Sequence, residues 1–385
     1  MITGKNGRGS EAPDGSAFRV PLYRTSFTGN EARYVMDCIE TGWVSSTGGY
    51  VARFEREFAK YIGVKAATSS SNGTTALHLA LLACGIKPGD EVIVPDLTFA
   101  ATAEAVMHAS AKPIIADIDP ETLNILPQSV AQKITRKTKA VIPVHLYGRP
   151  APMHEIMEIA ERHGIMVIED AAEAHGAMIG RKKAGAIGHI GVFSFYGNKI
   201  MTTGEGGMVV SNDEGAISRA ALLKNHGMRK DRRYWHEILG FNYRLTNLQA
   251  ALGIAQLEKA EEKIALKRKL AANYARMLAP LAAAGTLQLP SEEKGTRNVH
   301  WLYWLMAGNP SHQERICASL DSRMIEYRRF FYPLSMMPPF RCRGMKNSIG
   351  VYKKGFCIPS FPEITLEEQE TVVSAIESAV RTNPY

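Results

Sequence analysis

Six short runs that are apolar throughout, with helical segments between most of them, constrain this chain more than anything else in it. DEVIVP (90–95), PIIADID (113–119), TKAVIPV at the start of 138–148, IMVIED (165–170), IGVFSF (190–195) and GMVVS (207–211) read as strands with no polar face. A strand without alternation is buried on both sides, which predicts a mostly parallel sheet with helices on both faces. The intervening helices are TTALHLALLAC (74–84), stopped by Gly85, ATAEAVMHAS (101–110), and MHEIMEIAERHG (153–164), closed by Gly164. The α/β pattern runs from about residue 30 to 212. Residues 244–279 read as one long helical stretch that crosses to a second unit. Beyond about 280 the texture changes. VHWLYWLMA (299–307) is strand-like, 325–340 is loop-rich, and TLEEQETVVSAIESAV (365–380) is a closing helix. The expected division is a flexible arm at 1–17, a large domain at 18–260, and a linker helix with a small α+β domain at 261–385.

The length of 385 residues suits about two domains. The net charge of +8, from 46 basic and 38 acidic residues, fits nucleic acid, an anionic small substrate or a plain solvated surface. The basic residues are scattered apart from RKDRR (229–233) and YRRF (327–330), with no zinc-finger spacing and no RNP-like strand, so nucleic acid is disfavoured. Five cysteines, without a CxxC pair, argue against a disulfide framework or a Cys-rich zinc site and suit a reducing compartment. No apolar run approaches the roughly 18 residues of a membrane span, and the first residues lack the apolar core of a signal peptide. A cytoplasmic protein is expected.

In an open α/β sheet the binding crevice lies beyond the carboxyl ends of the strands. Four stretches can reach it. SSSNGTTAL (69–77) is a Gly-containing turn entering a helix, where the free amides of Gly73 and Thr74 suit a phosphate or simply form an N-cap. Asp170 ends a strand in VIEDAAEAHG, as a helix cap, a metal ligand or a partner for a cationic ring nitrogen, and Glu173 lies three residues on. No HExxH or other tight cluster supports a metal. In GVFSFYGNK, Ser194 can donate to a phosphate, and Lys199 is followed by the flexible TTGEGG. Partial burial would lower that amine's pKa and make it a nucleophile toward carbonyls. Asn242 and Arg244 precede a helix in GFNYRLTNLQAALG. Each signal is weak alone. Together they supply what pyridoxal phosphate needs: an amine (Lys199), a carboxylate for the pyridine nitrogen (Asp170) and a phosphate cradle (Gly73, Thr74, Ser194). A flat side chain over the ring completes the set, and Phe99 in PDLTFAAT is the candidate.

The order and spacing of ETGWVSSTGGYVARFE, NGTTALHLAL, GDEVIVPDLTFAATAEAV, PVHLYG, VIEDAAEAHGA, FSFYGNK, TTGEGGMVV and GFNYRLTNLQAALG are highly specific. They resemble the DegT/DnrJ/EryC1/StrS sugar aminotransferases over roughly residues 18–380. The resemblance implies the aspartate-aminotransferase (type I) fold and pyridoxal phosphate, with pyridoxamine phosphate as its second form. It makes Lys199 the Schiff-base lysine, Asp170 the ring-nitrogen partner, Ser194 with Gly73 and Thr74 the phosphate site, and Phe99 the stacking ring. Asn242 would reach the cofactor phosphate of a second subunit, which implies a homodimer with shared sites, itself possible as half of a tetramer. Glu173 departs from the commoner Gln that contacts the ring hydroxyl. L-glutamate is the implied amino donor, and C4 of GDP-4-keto-6-deoxy-D-mannose the implied acceptor. A UDP- or dTDP-linked 4-keto or 3-keto hexose is the alternative. Family dehydratases carry His in place of the lysine, and Lys199 favours amino transfer. Arg229, Lys230, Arg232, Arg233, Arg328 and Arg329 are candidates for the anionic substrate, with Tyr332 and Phe331 along the sugar or base.

Overall fold

The computed structural model describes residues 18–381, so the expected arm at 1–17 lies outside the described residues. The six apolar runs are strands, joined by a seventh at Ala66–Ser70. Across the sheet the order is Ala66–Ser70, Gly207–Ser211, Ile190–Ser194, Met166–Asp170, Thr138–Val141, Glu91–Pro95 and Lys112–Ala116. Only Gly207–Ser211 runs against its neighbours; the remaining pairings are parallel. The mostly parallel α/β expectation therefore holds. All five residues of Glu91–Pro95, Ile190–Ser194 and Gly207–Ser211 are buried, as strands covered on both faces require.

Helix Gly73–Ala83 packs on one face, and its apolar residues join Val92, Val94, Ile168, Val192 and Val209 in a single cluster. On the other face Phe54 and Phe58 of helix Gly49–Ile62 meet Phe193 and Phe195, with ring centroids 4.9–5.3 Å apart. The long helical stretch is two helices, Asn247–Glu258 and Ala260–Ala283, broken at Lys259.

The C-terminal part builds an antiparallel sheet ordered Leu287–Gln288, Tyr303–Ala307, Gly355–Ile358, Arg328–Arg329. Its core includes Leu305, Phe356 and Ile358 with Tyr274 of helix Ala260–Ala283, Ile316 of helix Pro310–Ser322 and Val372 of helix Leu366–Arg381. Val20 belongs to this core too: Arg19 N–H donates to Met324 O at 2.8 Å, and Val20 bridges Ile325. Leu22, two residues on, packs instead in the cluster that holds Phe54, Phe58 and Phe193.

Two carboxylates at strand ends tie the C-terminal segment to the large sheet. Asp96, just past Glu91–Pro95, accepts Ser335 N–H at 2.6 Å, Ser335 Oγ at 2.9 Å and the Ser348 hydroxyl. Asp117, just past Lys112–Ala116, accepts the N–H groups of Asn347 and Ser348 at 3.0 and 3.1 Å. The segment 327–340 is thereby held over the carboxyl end of the sheet, where the crevice lies.

Candidate active site

Asp170 is the last residue of its strand and is buried. Its Oδ2 accepts Thr102 Oγ1 at 2.9 Å, and its Oδ1 accepts Ala172 N–H at 3.2 Å. Thr102 sits in the first turn of helix Ala101–His108, so that helix fixes the carboxylate from the side. Burial pushes the Asp170 pKa up; Thr102, the Ala172 N–H, Lys199 and His145 pull the other way. The preceding residue, Glu169, points to the opposite face and accepts the N–H groups of Gly185, Ile187 and Gly188 at 2.8, 2.7 and 2.6 Å. His145 Nδ1 accepts Ala151 N–H at 2.9 Å, so Nε2 carries the proton that goes to Glu169, 2.9 Å away. This network locks the strand that presents Asp170. The residues after Asp170 form turns rather than a helix, which removes the helix-cap use considered for it.

Lys199 follows strand Ile190–Ser194 on a turn closed by its own N–H to Tyr196 O at 2.9 Å. Its side chain is 11% exposed, with Nζ 3.6 Å from Glu173 Oε1. The ammonium also lies 3.8 Å from the centroid of the Trp301 ring. Trp301 Nε1 donates to Asn198 O at 2.7 Å, which clamps the loop carrying the lysine. Burial lowers the Lys199 pKa, while Glu173 and Asp170 oppose that. Glu173 Oε2 accepts Tyr147 N–H at 2.8 Å, and burial pushes its pKa up to about 7 despite Lys199. Tyr147 holds a left-handed backbone, φ 55°, rare for a residue with a side chain.

The cradle is built by close approach. Asn72 caps helix Gly73–Ala83 by accepting Thr75 N–H at 2.9 Å, and among the described residues no partner meets the N–H groups of Gly73 and Thr74. A Cβ on Gly73 would stand 2.9 Å from Ser194 Cβ, so only glycine lets this helix end sit against Ser194. Gly207, in register with both Ser70 and Ser194, is likewise required, since its Cβ would lie 2.2 Å from Asn72 O.

Phe99 is 60% exposed, at one end of a row of rings. Its centroid lies 5.9 Å from Phe331, Phe331 stacks 5.9 Å from Tyr147, and Tyr147 stacks 6.3 Å from Trp301. Trp301, Tyr147 and Thr102 are thus site residues that the sequence did not single out. Asn242 is exposed on a segment that bridges Asn225, and its neighbour Tyr243 accepts Ser71 N–H at 2.9 Å beside the cradle.

The substrate candidates separate. Arg328 and Arg329 share a strand and face opposite ways. The charge of Arg328 lowers the pKa values of both Lys199 and Glu173. Arg329 pairs with Glu314 at 2.8 Å on helix Pro310–Ser322. Arg229 lies on an exposed loop, paired with Asp231 at 2.6 Å. In the same loop Arg232 covers the Trp235 ring and Arg233 the Tyr234 ring. Tyr332 packs its ring 4.9 Å from Tyr352.

A mostly parallel sheet that brings a buried lysine, a strand-end aspartate and an open helix N-terminus to one crevice defines an aminotransferase that works with pyridoxal phosphate. The DegT/DnrJ/EryC1/StrS aminotransferase family model matches residues 26–377, and the chain belongs to that family. It is 42% identical to a GDP-perosamine synthase of Caulobacter vibrioides over 94% of this chain and 98% of that one. A second GDP-perosamine synthase, from Escherichia coli O157:H7, is 42% identical over 91% and 95%. Among solved structures, an aminotransferase of Psychrobacter cryohalolentis superposes with a TM-score of 0.89 at 32% identity, covering 94% of this chain and 99% of that one. DesV of S. venezuelae, solved in complex with a ketimine intermediate, gives 0.87 at 31% identity over 92% and 95%. No helix among the described residues is long and apolar enough to cross a membrane.

Proposed function

We propose that the chain transfers the amino group of L-glutamate to C4 of GDP-4-keto-6-deoxy-D-mannose, giving GDP-perosamine and 2-oxoglutarate. The observation that carries this reading is the 40–42% identity to three GDP-perosamine synthases across more than nine-tenths of the chain. The site chemistry supports it. Lys199 Nζ would bind the cofactor aldehyde, Asp170 would hold a proton on the pyridine nitrogen, and the Gly73 and Thr74 amides with Ser194 Oγ would hold the phosphate. Phe99 would cover one face of the ring. When bound, pyridoxal phosphate supplies an electron sink for the charge left at the donor's α-carbon. The freed Nζ of Lys199 would take the α-proton and deliver it to the cofactor's C4′ in the same half-reaction, because its tether keeps it beside the reacting carbons. The basic excess of +8 suits a nucleotide diphosphate, and Arg328 is the guanidinium whose charge acts on Lys199. Asn242, exposed and beside the cradle, completes the site of a second copy in a cytoplasmic homodimer.

A second reading, a UDP-linked 3-keto sugar, has one observation behind it. A UDP-2-acetamido-2-deoxy-3-oxo-D-glucuronate aminotransferase of Pseudomonas aeruginosa is 43% identical, over 59% of this chain. The deciding experiment offers GDP-, UDP- and dTDP-linked keto sugars with glutamate and weighs the products. An amine formed from GDP-4-keto-6-deoxy-D-mannose is expected. Turnover of a UDP-linked sugar with the GDP sugar untouched overturns the proposal.

A further inference from the structure

We infer that Glu173 exchanges a proton with Lys199, taking it from the Nζ ammonium onto Oε1 and returning it. The N–H bond breaks as the O–H bond forms, and the electron pair stays on nitrogen, leaving a neutral amine. The inference rests on the reading of Lys199 as the cofactor-bearing residue and adds a partner to it.

Three features of the geometry carry it. Glu173 Oε2 is already occupied by Tyr147 N–H at 2.8 Å, which aims the other oxygen at Nζ, 3.6 Å away. Glu173 is the one carboxylate that the described residues bring within ion-pair distance of this amine. The other contact of Nζ is the face of Trp301, 3.8 Å off, which can hold a cation and cannot accept its proton. Unliganded sites commonly hold such pairs slightly apart, to tighten when substrate closes the crevice. The groups that face Glu173 are Lys199, Asp170, Arg328, the Tyr147 N–H and the Cys357 thiol, and among these only Lys199 pairs with its carboxylate. Burial penalises both charged forms, which narrows the gap between the ion pair and the neutral pair and lets the proton pass. A glutamine in this position donates and accepts hydrogen bonds but takes up no proton, so the glutamate gives this chain a titrating group beside its amine.

The test uses the full chain freed of cofactor, so that it reads the pair directly. Infrared difference spectra of the wild type with labelled glutamate should show a protonated-carboxyl band that grows as pH falls through about 7 and is missing from Glu173→Gln. Trace acetylation of Lys199 should rise about tenfold at neutral pH in Glu173→Gln, the equivalent of one unit of amine pKa. Glu173→Asp should stay near the wild type. A band that appears only in the ordinary carboxyl range, or acetylation unaltered by Glu173→Gln, overturns the inference. Should Glu173→Gln fail to fold, the wild-type spectrum still decides. Failure of the cofactor reading shows separately, as borohydride reduction that leaves no pyridoxyl group on Lys199.

Discussion

At the scale of single residues, close approach and burial build the site. Gly73→Ala places a methyl 2.9 Å from Ser194 Cβ and pushes the helix N-terminus off the strand. We expect cofactor affinity to fall by about tenfold or more, roughly 1.4 kcal/mol, with the circular dichroism spectrum preserved; titration of the cofactor-free chain with pyridoxal phosphate checks it. Glu173 gives a pH dependence of stability. Its folded pKa, about 7, lies above the ordinary 4.5, so its contribution is fully present below 4.5 and fades as pH rises to about 7. Denaturant midpoints across that window should fall less steeply in Glu173→Gln. Lys199 and Asp170 were legible in the sequence because each sits at the end of an apolar run, and such ends form the crevice of a parallel sheet. Trp301 and Tyr147 were not. Trp301 reaches Lys199 from beyond residue 300, and the role of Tyr147 depends on a left-handed turn that no local propensity announces.

At the scale of elements, the strands buried on both faces were read correctly and the polar ones were missed. Ala66–Ser70 has the sequence AATSS, with no apolar run to mark it. It is a strand because Gly207–Ser211 pairs with all five of its residues and because Glu55 meets Ser69 N–H at 2.8 Å and Lys224 at 2.7 Å. The break at Lys259 carries no Gly or Pro, so the sequence read through it. VHWLYWLMA becomes strand only from Tyr303, since His300 takes φ 47° and turns Trp301 toward the lysine loop. Asp96 links two such elements. Asp96→Ala strips Ser335 and Ser348 of a shared buried acceptor. Stability should drop by about 3 kcal/mol in urea titration, and segment 333–348 should become the first site of limited proteolysis. An unchanged midpoint would show that the carboxylate holds nothing in place.

At the scale of the whole molecule, the two sheets meet at the site: Asp170 ends one strand of the larger, Lys199 follows another, and Arg328, on a strand of the smaller, acts on Lys199 through its charge. The proposed homodimer adds Asn242 from a second copy. Mixing Lys199→Ala chains with Asn242→Ala chains should therefore restore part of the activity that each variant alone lacks, because one mixed site receives both intact residues. Mixed samples no more active than the separate ones would place Asn242 outside the shared site. Domain-scale packing was the least legible part of the sequence: Val20 joins a core otherwise built from residue 270 onward, a contact that spans nearly the whole chain. The claim on which all else depends is that the amine at 199 carries the cofactor. Borohydride reduction of the purified protein, followed by digestion and mass mapping, tests it most directly. The account predicts one pyridoxyl group, on Lys199. A pyridoxyl group on any other lysine, or on none, would contradict it.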